Sequence, residues 1–286
     1  MPVSRNASRL SVMFDDDHAV ADAGLALVGV LSEKLGLIEF AEEMVNVPPF
    51  PGRRIATLVH AICAGAGHID HANVRRAGAT GSVPGHRVMA PSTLGTFLRS
   101  STFGHVRQLE AVIVEVLRRA WAMGAGPESR RLVVDVDSTI CEVHGKQEQG
   151  ASYGYTKVLG YHPLLAARAE TGEVLHVRFR KGSAGSGRAA QRVVREVVGR
   201  LRRCGATGPV TLRADSGFDS AKVTKACRDH DVAYSITAPQ NPSVRAVIDG
   251  IEETAWTASR RRRGRRSSTP RTARPGSLRW TTRAIA

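Results

Sequence analysis

The chain has 286 residues, of which 42% are apolar, so it is long enough for one large domain or two smaller ones with a hydrophobic core. Lysine and arginine number 41 against 26 acidic residues, and the formal charge of +15 favours nucleic acid or another anionic partner. The longest apolar run, residues 25–30, is too short to cross a bilayer, so we predict no membrane span and a cytoplasmic location. The four scattered cysteines argue against a zinc site or a disulfide framework.

The first part of the chain has the pattern of a helical domain. Residues 1–18 look irregular, after which apolar side chains recur at helical spacing, with proline- and glycine-rich segments between the runs. We therefore predict a helical, DNA-binding domain over residues 19–124, followed by a linker. The predicted helices cover 19–46, 54–66, 94–100 with Ser92 as N-cap, and 105–123.

Arginines between the short helices allow two interpretations of this domain. In one, the short helices form a DNA reader similar to a helix-turn-helix, and the arginines contact DNA. In the other, the domain is an ordinary helical one whose arginines are solvated. The arginines concerned are Arg75, Arg76, Arg87 and Arg99.

The second part of the chain changes from helices to strands. Three strands are predicted with no helix between them, and later strands then alternate with helices. The resulting order, β-β-β-α-β-α-β, is that of a ribonuclease H-like α/β fold, with an antiparallel meander of three strands and the fourth strand parallel to the first. The predicted strands cover 131–139, 155–169, 174–180, 209–214 and 232–237, and the helices cover 186–203 and 218–230.

Acidic residues end two of these strands. Asp135 and Asp137 finish the apolar run R-L-V-V-D-V-D-S-T and share one face, because side chains alternate along a strand. Asp215 ends the fourth strand. If the first and fourth strands are parallel neighbours, Asp137 and Asp215 converge on a divalent ion, and carboxylates suit Mg²⁺. The alternative is that these acids cap the turns that follow them.

Several short motifs resemble one family. They are A-P-S-T-L-G-T-F-L-R-S at 90–100, D-V-D-S-T at 135–139, H-G-K-Q-E-Q-G-A at 144–151, G-Y-H-P-L-L-A at 160–166, R-K-G-S-A at 180–184 and R-A-D-S-G-F at 213–218. In this order they resemble the DDE-type transposases of bacterial insertion sequences, in particular the insertion-sequence thirteen-eighty group of the IS-four-like superfamily. The resemblance covers about residues 20–257.

The resemblance implies a chemistry and a set of partners. Asp137 matches the first catalytic acid, with Asp135 as a substitute, and Asp215 matches the second; all three are candidate ligands for Mg²⁺ or Mn²⁺. The implied reaction is DNA cleavage at terminal inverted repeats, followed by strand transfer into target DNA by a free 3′-hydroxyl. A nucleoid-associated dimer on double-stranded DNA is implied as well. The candidate DNA contacts are Arg178, Arg180, Lys181, Arg188 and Arg99.

The third acid of the family is not matched. It is a glutamate beyond the fifth strand, after an inserted β-rich segment, so the catalytic domain at 130–257 is predicted to be incomplete. Glu252 and Glu253 are the available substitutes. The arginine-rich tail at 258–286 contains no acid and no lysine, which suggests a frameshift near residue 257 that replaced the missing part. The competing interpretation is a genuine basic arm that binds phosphates.

Two other functions fit parts of the pattern. V-V-D-V-D-S-T also resembles the nucleophile motif of haloacid-dehalogenase-type phosphatases, with Asp135 as nucleophile and Asp137 as general acid. That fold requires a crossover helix soon after the first strand, whereas two strands are predicted here. The second alternative is a non-catalytic DNA-binding remnant that occupies transposon ends.

Overall fold

The computed structural model describes residue 18, residues 20–145 and residues 148–255. The chain divides into two compact units, Met1–Ala125 and Gly126–Ala286. The basic tail at 258–286 and nearly all of the N-terminus predicted to be irregular lie outside the described residues. In the part that is described, no helix combines the length and hydrophobicity needed to cross a membrane.

The described residues of the first unit form helices and no strand. The α-helices are α1 (Leu25–Lys34), α2 (Leu37–Met44), α3 (Pro51–Cys63), α4 (Pro91–Ser100) and α5 (Phe103–Ala120). Short 3-10 helices cover Ile69–Arg76 and Gly78–Ser82, and a π-helical turn covers Trp121–Ala125. The core of the unit lies where α2, α3, α4 and α5 meet, and its buried members are Phe40, Ala41, Val45, Val47, Ile55, Phe97 and Val112.

Two helix predictions in this unit are wrong. The continuous helix over 19–46 is two helices, because Gly36 between them has φ of 68°, a left-handed conformation that glycine adopts without steric cost. Ser92 is not the N-cap of α4, which begins at Pro91 and has Ala90 in the capping position. Proline suits the first helical position because its φ is already helical and its missing N–H would have no partner there.

The second unit contains two sheets and three α-helices in its described residues. Its strands are β1 (Leu132–Ser138), β2 (Cys141–Glu142), β3 (Ser152–Tyr153), β4 (Leu159–Tyr161), β5 (Leu164–Arg168), β6 (Val174–Arg178), β7 (Val210–Ala214) and β8 (Val232–Ile236). Its helices are α6 (Ala190–Arg203), α7 (Ala221–Asp229) and α8 (Pro242–Asp249), with 3-10 turns at Ser216–Phe218 and Glu253–Ala255.

The main sheet has the strand order β6-β5-β1-β7-β8. β1, β5 and β6 form an antiparallel meander, while β7 is parallel to β1 and β8 is parallel to β7. The unit is thus a mixed α/β fold with a mixed sheet. The predicted parallel pairing of the first and fourth strands is confirmed.

The core of the second unit lies on one face of the main sheet. Alternate residues of β1 (Leu132, Val134 and Val136) are buried, and α6 contacts β5, β6 and α7. The buried face of α6 consists mainly of aliphatic side chains: Val193, Val194, Val197, Val198 and Leu201. Because side chains alternate along a strand, the other face of β1 carries Asp135 and Asp137.

The prediction of one long strand over 155–169 is wrong. The segment divides at His162 and Pro163 into β4 and β5, which belong to different sheets. Pro163 has no N–H for a strand ladder, and the buried His162 ring contacts the Ala184 carbonyl oxygen through Nδ1 at 2.6 Å. The smaller sheet, of order β2-β4-β3, is inserted between β1 and β5, so the predicted β-β-β-α-β-α-β order holds for the main sheet alone.

Candidate active site

The register of β1 and β7 brings the two predicted catalytic acids to neighbouring strand ends. Val136 pairs with Ala214, and Asp137 and Asp215 are the next residues on the two parallel strands. Both carboxylates are exposed. The structure therefore gives this pair the convergence at one edge of the sheet that the strand order predicts.

Each carboxylate is oriented by a nearby backbone amide. The Ser138 N–H donates to Asp137 Oδ1 at 2.7 Å, and the Gly217 N–H donates to Asp215 Oδ1 at 3.0 Å. Asp215 is thus the N-cap of the 3-10 turn Ser216–Phe218, so the capping role left open by the sequence is also present. Each acid makes these bonds through one oxygen, and its other oxygen makes no hydrogen bond to the part of the chain that the structure describes.

Asp135 has a different environment although it shares the face of Asp137. Its two carboxylate oxygens accept hydrogen bonds from Nε and Nη2 of Arg213, each at 2.6 Å. Arg213 lies directly opposite Asp135 on β7. This bidentate ion pair occupies the Asp135 carboxylate and leaves Asp137 and Asp215 as the available acids of the strand ends.

A glycine- and serine-containing turn, residues 185–188, lies against both acid-bearing segments. Ser186 Oγ is 3.3 Å from Ser138 Oγ. A Cβ built on Gly217 would lie 3.0 Å from Ser186 Cβ, so that approach depends on glycine. The turn therefore belongs to the immediate surroundings of the acid pair.

The basic residues predicted to contact DNA separate into two groups. Arg178 is largely buried and donates from Nη2 to Glu196 Oε2, and the Arg180 guanidinium donates to backbone carbonyl groups. Lys181 and Arg188 have exposed side chains. Only the second group presents its charges to solvent in the way that phosphate binding requires.

Glu196 on α6 connects several basic groups of the second unit. Arg192 Nε donates to it at 3.0 Å, and the buried His176 ring is 3.1 Å away through Nε2. Burial alone would raise the pKa of Glu196, but the hydrogen bond and charge of Arg178 and the hydrogen bond from Arg192 lower it. Burial, together with the positive charges of Arg200 and Arg178, lowers the pKa of His176 to about 4, so the ring is neutral at pH 7.

In the first unit the four predicted arginines also differ. Arg75 is buried and donates to the carbonyl oxygens of His71 and Ala64, each at 2.8 Å, so it supports the fold. Three are exposed, namely Arg76, Arg87 and Arg99. The DNA contact at Arg99 stays a prediction; its guanidinium lies 3.5 Å from the Thr96 hydroxyl.

Of the two substitutes for the third acid, Glu252 does not join Asp137 and Asp215 in a metal-binding cluster of described side chains. Glu252 is exposed beyond α8, and Glu253 begins a 3-10 turn; its side chain is not among those described. Among the side chains that the structure describes, no group of three or more from histidine, cysteine, aspartate and glutamate is placed to hold a metal ion. The described site is a pair of acids.

This pair fits a hard divalent ion by its chemistry. Mg²⁺ is commonly bound through one or two carboxylates, keeps several water ligands and accepts phosphate oxygens of the substrate. Asp137 and Asp215 supply two exposed carboxylates at one edge of the sheet. The donor set therefore suits Mg²⁺ or Mn²⁺ better than a thiolate- or imidazole-preferring metal.

Sequence reasoning did not assign two residues that shape this site, Arg213 and Ser186. A signal was available for Arg213, which stands two positions before Asp215, as Asp135 stands two before Asp137. With the two strands parallel and in that register, opposite charges face each other. Ser186 carried no comparable signal, because its contact with Ser138 joins segments 48 positions apart in the chain.

Two exposed carboxylates at adjoining strand ends define a candidate site for divalent-ion chemistry on phosphate esters. The chain belongs to the family described as "Transposase DDE domain group 1", whose model matches residues 3–284. No curated protein matches the chain.

Similar solved structures include three transposases. The piggyBac transposase in a synaptic complex with hairpin DNA is 12% identical, with a TM-score of 0.39, over 87% of this chain and 48% of that one. The Mos1 mariner catalytic domain is 13% identical, with a TM-score of 0.29, over 50% and 70%. The Drosophila P element transposase in its strand transfer complex is 11% identical, with a TM-score of 0.34, over 69% and 43%. The chain thus spans about half the length of the piggyBac protein, and the family assignment rests on sequence.

Proposed function

We propose that this chain is an insertion-sequence transposase of the thirteen-eighty group with a ribonuclease H-like catalytic unit. Its activity is divalent-ion-dependent cleavage of DNA at the ends of its element, followed by strand transfer. The observation that carries the proposal is the placement of Asp137 and Asp215 at neighbouring ends of β1 and β7 in a chain of the DDE family.

The chain's own residues contribute by holding the reacting groups. Asp137 and Asp215 bind the ion, and the amides of Ser138 and Gly217 fix the orientation of one oxygen of each carboxylate. Mg²⁺ or Mn²⁺ held there would activate a water or a DNA 3′-hydroxyl for attack and would stabilise the leaving oxygen. Arg213 occupies both oxygens of Asp135, so this carboxylate would not be available to hold the ion.

We assign DNA contacts to exposed cations of both units. Lys181 and Arg188 lie in or next to the segment that flanks the acid pair, and Arg76, Arg87 and Arg99 are the candidates in the helical unit. In this proposal residues 19–124 bind the ends of the element and residues 130–257 carry the chemistry. The family resemblance supports a dimer on double-stranded DNA and a cytoplasmic, nucleoid-associated location.

Two hypotheses account for the third acid of the proposed site. Either Glu252 or Glu253 completes the site, or a frameshift near residue 257 has replaced the segment that carried it, leaving a remnant that binds DNA without cutting. Resequencing the gene and translating it past codon 257 in all frames separates these hypotheses. A continuation with a glutamate-bearing helix in another frame supports the frameshift; its absence makes Glu252 and Glu253 the residues to mutate.

Substitution of the acid pair tests the proposed chemistry. We expect Asp137→Asn and Asp215→Asn each to lower Mg²⁺-dependent nicking of supercoiled plasmid at least about 100-fold, because each removes an ion ligand. Binding to duplex DNA, measured by fluorescence anisotropy, should not weaken in either variant. Asp229→Asn, which changes an exposed acid on α7 paired with Lys225, is the matched control and should retain nicking.

The outcomes distinguish the competing functions. Salt-sensitive DNA binding by the wild-type chain without nicking would identify a non-catalytic remnant. Hydrolysis of a generic phosphate ester that is lost in Asp135→Asn would identify a phosphatase. The phosphatase is not favoured, because Arg213 occupies both oxygens of its nucleophile and β1 leads into further strands rather than a crossover helix.

A further inference from the structure

The Arg180 guanidinium, just after β6, is bonded to the backbone of two separate segments. Its Nε donates to the His162 carbonyl oxygen at 2.8 Å. Its Nη1 lies within hydrogen-bonding distance of the carbonyl oxygens of Gly185 (2.9 Å), Ser186 (3.2 Å) and Arg188 (2.9 Å). Since Nη1 carries two hydrogens, the three carbonyl groups share them. One planar side chain thus fixes the turn at 185–188 relative to the end of β4.

The held turn contacts the segment that carries the first acid. Ser186 Oγ lies 3.3 Å from Ser138 Oγ. Ser138 is also the residue whose N–H orients the Asp137 carboxylate, at 2.7 Å. A displacement of the turn therefore removes a neighbour of the residue that orients Asp137.

The same turn contacts the segment that carries the second acid. The backbones of Gly187 and Gly217 approach so closely that a Cβ on Gly187 would lie 2.8 Å from the Gly217 carbonyl oxygen. Gly217 is the residue whose N–H donates to Asp215 Oδ1 at 3.0 Å. The turn at 185–188 thus contacts both residues whose amides orient the carboxylates, Ser138 through its side chain and Gly217 through its backbone.

We propose that Arg180 is a positioning residue for the acid pair, acting through the turn at 185–188, and that it is not a phosphate contact. The proposal rests on the proposed function of Asp137 and Asp215 as ion ligands. The two cations of the motif R-K-G-S-A would then have different roles. The exposed Lys181 is available to contact DNA, whereas Arg180 binds backbone carbonyl groups of the protein. Arg188 is exposed as well, although its carbonyl oxygen is bound by Arg180.

Three variants separate positioning from phosphate binding. Arg180→Met keeps an unbranched stem but loses every donor, whereas Arg180→Lys keeps the charge and loses the fork that binds several carbonyl groups. Arg188→Met is the matched control, with the same change of charge at an exposed position. The readouts are the salt dependence of binding to a 40-bp duplex of arbitrary sequence, amide hydrogen exchange over 181–190, and plasmid nicking with Mg²⁺.

In Arg180→Met we expect amide exchange over 185–188 to accelerate at least about tenfold, because the turn loses its anchor. The nicking rate at saturating DNA should fall at least about tenfold, with the DNA concentration for half-maximal rate unchanged. The slope of log K against log salt should equal that of the wild type. Arg180→Lys should resemble Arg180→Met, whereas Arg188→Met should reduce the magnitude of the slope by about 0.9 and leave exchange unchanged.

A slope reduced by about 0.9 in Arg180→Met, with exchange over 185–188 unchanged, would show a phosphate contact and overturn the proposal. Wild-type rates of amide exchange and of nicking in Arg180→Lys would also overturn the proposal, since a positive charge alone would then be enough to hold the turn. If Arg180→Met does not fold, Arg180→Lys decides through the same exchange and nicking readouts. A wild-type chain that binds DNA without nicking would overturn the proposed function, while exchange and slope would still decide the role of Arg180.

Discussion

At the scale of single residues, the acids of β1 differ in their partners. Asp135 and Asp137 share a face, yet Arg213 occupies both oxygens of Asp135 and none of Asp137 in the described structure. Hydrogen bonding to Asp135 raises the pKa of Arg213, so the guanidinium is positively charged. The guanidinium therefore also places a fixed positive charge beside a site proposed to bind a cation.

Removal of that charge should strengthen cation binding. We expect Arg213→Met to tighten Mn²⁺ binding about two- to tenfold, because one repulsive charge disappears and the Asp135 carboxylate becomes available. Stability should fall by less than about 1 kcal/mol, since both partners of the pair are partly exposed. Isothermal titration with Mn²⁺ measures the affinity. The double variant Asp135→Asn/Arg213→Met should return toward the wild-type value; unchanged affinity in Arg213→Met would show that the pair does not influence the site.

At the scale of elements, the sequence predicted the parts whose local pattern agrees with their tertiary role. β1 and β7 are short apolar runs that end in acids, and both were located within a residue or two. The small sheet was missed because β2 and β3 have two residues each and carry no alternating pattern of their own. These two strands are held by close approach of backbones, and the only trace of this packing in the sequence is a set of scattered glycines.

The small sheet depends on glycines where backbones meet. A Cβ on Gly182 would clash with the carbonyl oxygens of Ser152 and Gly160. The same argument applies to Gly160, whose Cβ would clash with the Cys141 carbonyl oxygen. The glycines in motifs G-Y-H-P-L-L-A and R-K-G-S-A thus join β3 and β4 to the segment that leads into the turn at 185–188.

Alanine at one of these positions should destabilise the second unit. We expect Gly182→Ala to cost about 1–3 kcal/mol, because backbone groups must move apart to accommodate the methyl group. Gly185→Ala is the control, since a Cβ there meets nothing within 4 Å. Urea denaturation followed by circular dichroism measures the difference between the two variants. Equal stability would contradict the close packing of β3 and β4 on residue 182.

At the scale of the whole molecule, each unit buries a histidine in its neutral form. His176 is 1% exposed in the second unit, and His60 is 1% exposed in the first. The His60 ring lies 2.9 Å from Ser32 Oγ and 3.1 Å from the His86 ring. Burial, with a smaller contribution from His86, lowers the pKa of His60 to about 4. Both units should therefore respond to acid in the same direction.

A histidine pKa near 4 in the folded state, against 6.5 when unfolded, means that the unfolded chain binds more protons between these values. Stability is full above about pH 6.5 and decreases as the pH falls towards 4. We expect the buried histidine to lower the free energy of unfolding of its unit by about 1–2 kcal/mol when the pH falls from 7 to 5. Urea denaturation at both pH values measures this. His176→Gln should weaken the pH dependence of the stability of the second unit. His230→Gln, at an exposed position, should leave that dependence unchanged.

The Asp135–Arg213 pair also marks the alignment of two strands that are 78 positions apart in the chain. A slip of one residue would turn β7 over and expose its apolar side chains. A slip of two residues would set Asp135 opposite either Thr211 or Asp215, with loss of the ion pair or repulsion between like charges. Only the native alignment satisfies Asp135 while it brings Asp137 and Asp215 together. A misaligned or half-formed sheet consequently holds no acid pair, so the site proposed for DNA cleavage forms only after folding has selected the correct alignment.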